Sequence, residues 1–241
     1  MSQTIYLFDV DGTLTPPRQK MTRAIEDVLS RLVNSRLVYL VSGSDIHKLR
    51  EQVPAHIMSA CSGIFASSAN ELWVGEDLQY ENVYVPSPAL IGKLENIVSV
   101  SKYPYRTSNH IEYRPGMLNF SVIGRSAEHH QRIHYAEWDQ QHLERKDIAR
   151  SLAADHPEID VNIGGQISID IYPKGLDKSQ AIFQLRAEFP DYNIMFFGDR
   201  TEKGGNDYSV AVNLEPRDTL HTVNSPEETH IILREILSHD E

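Results

Sequence analysis

The chain has 241 residues, of which 40% are hydrophobic and 24% charged, and this composition excludes a disordered chain. Its net charge of −11 argues against non-specific binding to nucleic acid or to an anionic membrane surface. The single cysteine, Cys61, leaves no intrachain disulfide, and the lack of any long apolar stretch favours a cytoplasmic protein without a membrane span.

The first eighty residues alternate short apolar runs with amphipathic segments. The apolar runs at 5–8, 37–41 and 63–66 predict strands, and the segments at 21–33 and 46–53 predict helices. Strands that are apolar throughout, with helices between them, are typical of a parallel sheet that is covered on both faces.

The pattern changes near residue 82 and becomes that of an antiparallel α+β module. Helices are predicted at 88–103 and over a long polar stretch at 128–154. Two strand pairs are predicted, 111–114 with 117–123 across Pro115-Gly116, and 161–163 with 167–171 across Gly164-Gly165.

From residue 177 the first pattern returns. Helices are predicted at 177–189 and 226–237, and strands at 193–197 and 210–212. We therefore expect an α/β fold in which a Rossmann-like parallel-sheet core, residues 1–81 and 175–241, carries an inserted α+β cap domain at 82–174.

Polar residues that could take part in catalysis follow the predicted core strands. Asp9-Val10-Asp11-Gly12-Thr13 follows the first strand, Ser42 follows the second, and Asp199 and Asp207 follow a later one, while Lys178 opens a helix. Ligands of open parallel sheets bind beside such strand ends. Two acids one residue apart suit phosphoryl transfer, in which one carboxylate attacks phosphorus and the other moves protons. Taken singly, an ordinary Asp-Gly turn or a solvated lysine would explain each signal.

In their order and placement these signals resemble the haloacid dehalogenase (HAD) superfamily of phosphohydrolases and phosphomutases. The resemblance implies that Asp9 is the nucleophile and that Asp11 is the general acid and base. Ser42 and Lys178 are then expected to contact the phosphoryl group as a hydroxyl donor and a fixed positive charge.

The same resemblance implies a Mg²⁺ site. The expected ligands are the Asp9 carboxylate, the Asp11 backbone carbonyl and the Asp199 carboxylate, since Mg²⁺ prefers oxygen. Asp207 is expected either to orient Lys178 or to hold a metal-bound water.

Three arginines, Arg114, Arg125 and Arg132, fall within nineteen residues of the predicted insert. A guanidinium binds phosphate through two parallel hydrogen bonds, so three of them suggest a second phosphate site. Scattered surface arginines are the plainer explanation for any one of them.

The surrounding motifs resemble those of eukaryotic-type phosphomannomutases. They are Thr15-Pro16-Pro17-Arg18-Gln19-Lys20, Arg114-Pro115-Gly116-Met117-Leu118-Asn119, Ile123-Gly124-Arg125-Ser126 and Gly165-Gln166-Ile167-Ser168-Ile169-Asp170. This resemblance implies interconversion of mannose 6-phosphate and mannose 1-phosphate, a hexose 1,6-bisphosphate activator and a homodimer built through the cap. It also implies the residues that contact the hexose phosphate, namely Arg18, Arg114, Arg125, Arg132, Ser168 and Asp170.

One segment departs from that family. Where the family has a Glu-Asn-Gly turn, this chain has Ser67-Ser68-Ala69-Asn70-Glu71. The departure leaves the preferred sugar open, and it leaves open a sugar-phosphate phosphatase that uses the same core residues. A phospho-aspartate signalling module is a third hypothesis, but the insert and the Asp-x-Asp spacing argue against it.

Overall fold

The computed structural model of the chain describes residues 3–238, which form two compact units. The first unit contains the residues up to Glu81 together with those from Asp177 onward, and the second contains Asn82–Leu176. In chain order the elements are β1 (Thr4–Phe8), α1 (Arg23–Val33), β2 (Leu37–Val41), α2 (Ile46–Gln52), α3 (Ala55–Ala60), β3 (Gly63–Ala66), β4 (Glu71–Val74), β5 (Asp77–Glu81), α4 (Pro88–Val100), β6 (Ile111–Arg114), β7 (Met117–Phe120), α5 (His129–His142), α6 (Glu144–Asp155), β8 (Ile159–Ile163), β9 (Ile169–Pro173), α7 (Gln180–Glu188), β10 (Asn193–Gly198), α8 (Tyr208–Val212), β11 (Thr219–Thr222) and α9 (Pro226–Ser238).

The first unit is built on a seven-stranded sheet with the strand order β11-β10-β1-β2-β3-β4-β5. The strands from β11 to β3 are parallel, and β4 and β5 extend the sheet as an antiparallel edge. On the central strand β1, Tyr6 and Phe8 enter one hydrophobic cluster, whereas Ile5 and Leu7 enter another. Side chains of a strand alternate between its faces, so both faces of this sheet are covered. The predicted Rossmann-like parallel sheet is confirmed.

The second unit is an α+β unit with a four-stranded antiparallel sheet in the order β6-β7-β9-β8. Leu118 and Ile171 of this sheet share one hydrophobic cluster with Leu94 of α4, Tyr135 of α5 and Leu152 of α6. Both predicted strand pairs form.

The polar stretch at 128–154 is helical, as predicted, and it is divided into two helices. α5 ends and α6 begins at Leu143, whose backbone is left-handed with a φ of 54°. A left-handed backbone is uncommon at a leucine, so the residue type does not reveal this break.

The strand predicted at 210–212 is wrong. These residues lie in α8, where the backbone N–H of Ala211 donates to the carbonyl of Asp207, and the outer strand is β11 instead. A run of three apolar residues has no period that separates a strand from a buried helix.

Across residues 3–238, every helix is too short or too polar to span a lipid bilayer. Cys61 is buried, and burial raises the pKa of its thiol to about 12.

Candidate active site

Asp9 lies at the carboxyl end of the central strand β1, in the turn that the Asp-x-Asp motif forms. Its backbone N–H donates to the carbonyl of Phe197 (2.9 Å), and its Oδ2 accepts a hydrogen bond from the Thr13 hydroxyl (3.2 Å). Gly12 has a φ of +93°, and a Cβ atom there would lie 2.3 Å from Oδ2 of Asp199. Glycine is therefore required for both the conformation of this turn and the space beside it.

Lys178 links this turn to Asp207, which lies between β10 and α8. Its Nζ donates to Oδ1 of Asp9 and to Oδ1 of Asp207, both at 2.6 Å, and all three side chains are almost fully buried. Burial lowers the pKa of an ammonium, but the two carboxylates outweigh it and raise the pKa of Lys178. Lys178 is thus a permanent positive charge. It lies in the turn before α7, which begins at Gln180 and not at residue 177 as predicted.

Asp9, Asp199 and Asp207 bring carboxylate oxygens within 4.8 Å of one another. Burial raises the pKa of Asp9 well above its usual value, with Asp207 adding to the effect and Lys178 opposing it. Burial, followed by the charge of Asp207, raises the pKa of Asp199 to about 7. Three carboxylates facing one ammonium leave an excess of negative charge that a hard divalent cation with oxygen ligands would neutralise. The donor set therefore fits Mg²⁺.

Asp11 directs its carboxylate to a different set of partners. Oδ1 accepts hydrogen bonds from Nε2 of Gln52 (2.8 Å) and from the backbone N–H of Arg18 (2.8 Å), and the Ser44 hydroxyl donates to Oδ2 (3.3 Å). Gln52 is buried at the end of α2. The sequence does not predict this contact, because a glutamine at the end of an amphipathic helix carries no distinctive pattern.

Ser42 is buried in the loop after β2, where its Oγ accepts a hydrogen bond from the backbone N–H of Ser44 (3.1 Å). Its carbonyl accepts from the backbone N–H of Ser68 (2.8 Å), and the carbonyl of Ser44 accepts from that of Ser67 (2.9 Å). The segment that departs from the family motif therefore holds the Ser42 loop in place.

This segment contains three consecutive non-glycine residues in the left-handed region, Ser67, Ser68 and Ala69, with φ between 50° and 64°. Each costs roughly 1–2 kcal/mol relative to a right-handed backbone. Two hydrogen bonds stabilise the turn: the Ser67 hydroxyl donates to Glu71 (2.8 Å) in a buried contact, and the Tyr80 hydroxyl donates to the carbonyl of Ala69 (2.8 Å) in a partly buried one.

In the second unit the structure brings together the three predicted arginines. Nε of Arg114 and Nε of Arg125 each donate to one oxygen of Glu112 (3.0 Å), and the guanidinium of Arg132 donates to the carbonyls of Ala127 and Arg125 (2.6 Å). Burial, and then the charge of Arg125, lowers the pKa of Arg132 to about 10. Three cations around one carboxylate leave a net positive patch.

Ser168 and Asp170 are both buried, at the beginning of β9. Nδ2 of Asn119, on the neighbouring strand β7, donates to Oδ1 of Asp170 at 2.5 Å. Asn119 was not among the predicted site residues, although it belongs to the motif that begins at Arg114.

Comparison with known sequences gives one consistent result. A sequence profile described as eukaryotic phosphomannomutase matches residues 25–239. A phosphomannomutase of Drosophila melanogaster is 34% identical over 245 residues, which cover 98% of this chain and 96% of that protein. A phosphomannomutase of Saccharomyces cerevisiae is 32% identical over 253 residues, which cover 98% and 95%.

Solved structures with similar folds are more distant in sequence. An IMP-bound, N-terminally truncated IMP-nucleotidase of Plasmodium falciparum has a TM-score of 0.66 at 13% identity, covering 98% of this chain and 68% of that one. The C-terminal domain of a C. albicans trehalose-6-phosphate phosphatase has a TM-score of 0.58 at 17% identity, covering 98% and 92%. At these identities the likeness concerns the fold alone, and it confirms the predicted HAD-type core.

Proposed function

Since this chain belongs to the eukaryotic phosphomannomutase family, and is thus an enzyme of the mutase type, we propose that it interconverts mannose 6-phosphate and mannose 1-phosphate through a phosphorylated Asp9. The observation that supports this mechanism best is the Asp9 carboxylate, buried at the end of β1 and hydrogen-bonded to Lys178.

Asp9 acts as the nucleophile. One of its oxygens forms a bond to phosphorus while the bond from phosphorus to the sugar oxygen breaks, and Asp11 gives the leaving oxygen a proton. In the second half-reaction Asp11 takes a proton from the attacking sugar hydroxyl, and the phosphoryl group leaves Asp9. Thr13 and Lys178 each bind one oxygen of Asp9 and thereby restrict its rotation.

Asp9, Asp199 and the backbone carbonyl of Asp11 would hold Mg²⁺, which when bound offsets the negative charge of the phosphoryl oxygens. Asp207 orients Lys178, since its Oδ1 accepts from Nζ and its Oδ2 is fixed by the backbone N–H of Arg200 (3.2 Å). Ser42 supplies a hydroxyl donor to the phosphoryl group.

The phosphate that is not reacting is bound by arginines. Arg114, Arg125 and Arg132 of the second unit supply guanidinium groups that match phosphate oxygens in geometry and charge. Glu112 supports this role because it aligns Nε of both Arg114 and Arg125.

Ser168 and Asp170 bind the hydroxyls of the sugar on this proposal. A hexose 1,6-bisphosphate phosphorylates Asp9 at the start, because the mutase cycle needs a phosphorylated enzyme before a monophosphate binds. Membership of the family also supports a homodimer formed through the second unit.

A phosphorus NMR time course tests the reaction. Mannose 1-phosphate with Mg²⁺ and a trace of hexose 1,6-bisphosphate should give mannose 6-phosphate without net loss of organic phosphate. Asp9→Asn should abolish the conversion, while Asp191→Asn, at an exposed position, should leave it unchanged. Phosphate release faster than isomerisation would instead indicate a sugar-phosphate phosphatase, and neither reaction in the wild type would reject the proposal.

A further inference from the structure

Arg145 is a buried arginine of α6 that the proposed reaction does not use. It is 8% exposed, and its partner Asp139 on α5 is 7% exposed. Nε of Arg145 donates to Oδ2 of Asp139 (2.7 Å), and the backbone N–H of Arg145 donates to Oδ1 (2.8 Å). Asp139 therefore fixes the direction of this guanidinium.

The far end of the Arg145 side chain reaches the turn between β8 and β9. Its Nη1 donates to the carbonyls of Gly164 (3.2 Å), Gly165 (3.1 Å) and Ser168 (3.4 Å). Backbone carbonyls shielded from water need a donor, and a charged donor is stronger than a neutral one. The guanidinium of Arg145 thus forms hydrogen bonds to the backbone on both sides of this turn.

The position of this turn controls the carboxylate of Asp170. A Cβ atom at Gly164 would lie 2.6 Å from Oδ2 of Asp170, so the backbone of Gly164 packs directly against that carboxylate. Asn119 holds the other oxygen. Any displacement of Gly164 would therefore shift Asp170, and a displacement of the Ser168 backbone would shift its hydroxyl.

Stability alone does not explain two buried charges in this place. A buried ion pair is often matched or exceeded in stability by apolar side chains of similar volume. The contacts of Arg145 with three carbonyls of one turn, in contrast, specify a conformation that apolar side chains would leave undefined.

We infer that Arg145, oriented by Asp139, is a positioning residue that holds residues 164–168 in the conformation in which Ser168 and Asp170 bind the sugar. That the ligand is a sugar rests on the proposed function, whereas the role of Arg145 in holding the turn does not.

The test compares Arg145→Met with Arg145→Lys and with the apolar pair Asp139→Leu/Arg145→Met. Arg150→Met is the matched control, because Arg150 lies on the same helix and pairs with Asp147 at the surface, where the two side chains are 71% and 64% exposed. Three quantities are measured: the KM and kcat for mannose 1-phosphate, the hydrolysis of p-nitrophenyl phosphate, and amide hydrogen exchange of residues 164–170.

Arg145→Met should raise the KM by about tenfold or more. Loss of a residue that orients the binding residues without touching the ligand typically weakens a site by about 10–100-fold. Arg145→Lys should restore part of the affinity. Hydrolysis of p-nitrophenyl phosphate, which has no sugar to bind, should not change. The apolar double variant should lower the melting temperature less than Arg145→Met does, because it leaves no unpaired carboxylate, and it should still show the raised KM and faster exchange in the turn.

Two results would overturn the inference. One is a double variant that is stably folded and has the wild-type KM. The other is exchange of residues 164–170 that is no faster in Arg145→Met than in Arg150→Met. A wild type that lacks mutase activity would reject the proposed function instead, and hydrogen exchange would still decide whether Arg145 clamps the turn.

Discussion

Lys178 affects both the charge balance and the geometry of Asp9. In Lys178→Met the carboxylates of Asp9 and Asp207 would face each other without their shared cation. We expect the free energy of unfolding to fall by about 3–5 kcal/mol, as when one partner of a buried ion pair is removed, and mutase activity to be lost. Urea unfolding measures the loss, with the exposed Lys203→Met as control. A loss below about 1 kcal/mol would contradict the buried pairing.

Gly12 allows a second prediction about the same turn. Gly12→Ala would place a methyl group against Asp199, whereas Gly75→Ala, also at positive φ, meets nothing within 4 Å. Both changes should destabilise the protein by about 1–2 kcal/mol through backbone strain. Only Gly12→Ala should lower kcat/KM, by about a hundredfold, because it displaces an acid at the reacting centre. Steady-state assays over a range of Mg²⁺ concentrations compare the two, and equal activity would refute the clash.

The site residues that the sequence predicts are those that follow strands. Asp9, Asp199 and Asp207 could be named in advance because parallel strands end at one edge of the sheet. Gln52 and Arg145 could not, since each acts through a contact that only the folded chain creates: Gln52 lies 41 residues from Asp11, and Arg145 lies 19 residues from Gly164.

Among the elements, the turn from Ser67 to Glu71 has the most unusual backbone. Ala69 is fully buried and has a φ of 64°. Ala69→Gly should change the free energy of unfolding by less than about 1 kcal/mol, because relief of roughly 1–2 kcal/mol of strain offsets about 0.8 kcal/mol for the lost methyl group. Ala69→Val should destabilise by more than about 2 kcal/mol through strain and overpacking. Thermal and urea unfolding of both variants measure the contrast, and similar values for the two would contradict it.

The elements that the sequence predicts best are those with a long regular pattern. α1 buries Ile25, Val28, Leu29 and Leu32 at helical spacing, and both of its predicted ends lie within two residues of the observed ones. β4 and β5 were not predicted, because most of their residues are partly or fully exposed and their pairing depends on the neighbouring strand β3. α8 is mispredicted as a strand for a similar reason, because tertiary contacts decide whether a short apolar segment forms a helix or a strand.

At the scale of the whole molecule, each unit has its own hydrophobic clusters. Leu118→Ala would open a cavity in the second unit and Leu29→Ala one in the first, and each should cost about 2–5 kcal/mol. Leu118→Ala should accelerate amide hydrogen exchange in residues 82–176 far more than elsewhere, and Leu29→Ala should do the reverse. Uniform acceleration by either change would mean that the two units unfold as one.

The interrupted order of the first unit has a consequence for how the chain is made. β1 lies between β2 and β10, and β10 begins only at Asn193. A ribosome adds about 5–20 residues per second, so the nascent chain holds an open sheet edge at β1 for many seconds while all of residues 82–176 emerge. During that interval Asp9 also lacks Lys178, which lies 169 residues further on. An open edge can pair with another chain, so the early part of the chain is exposed to intermolecular strand pairing during translation.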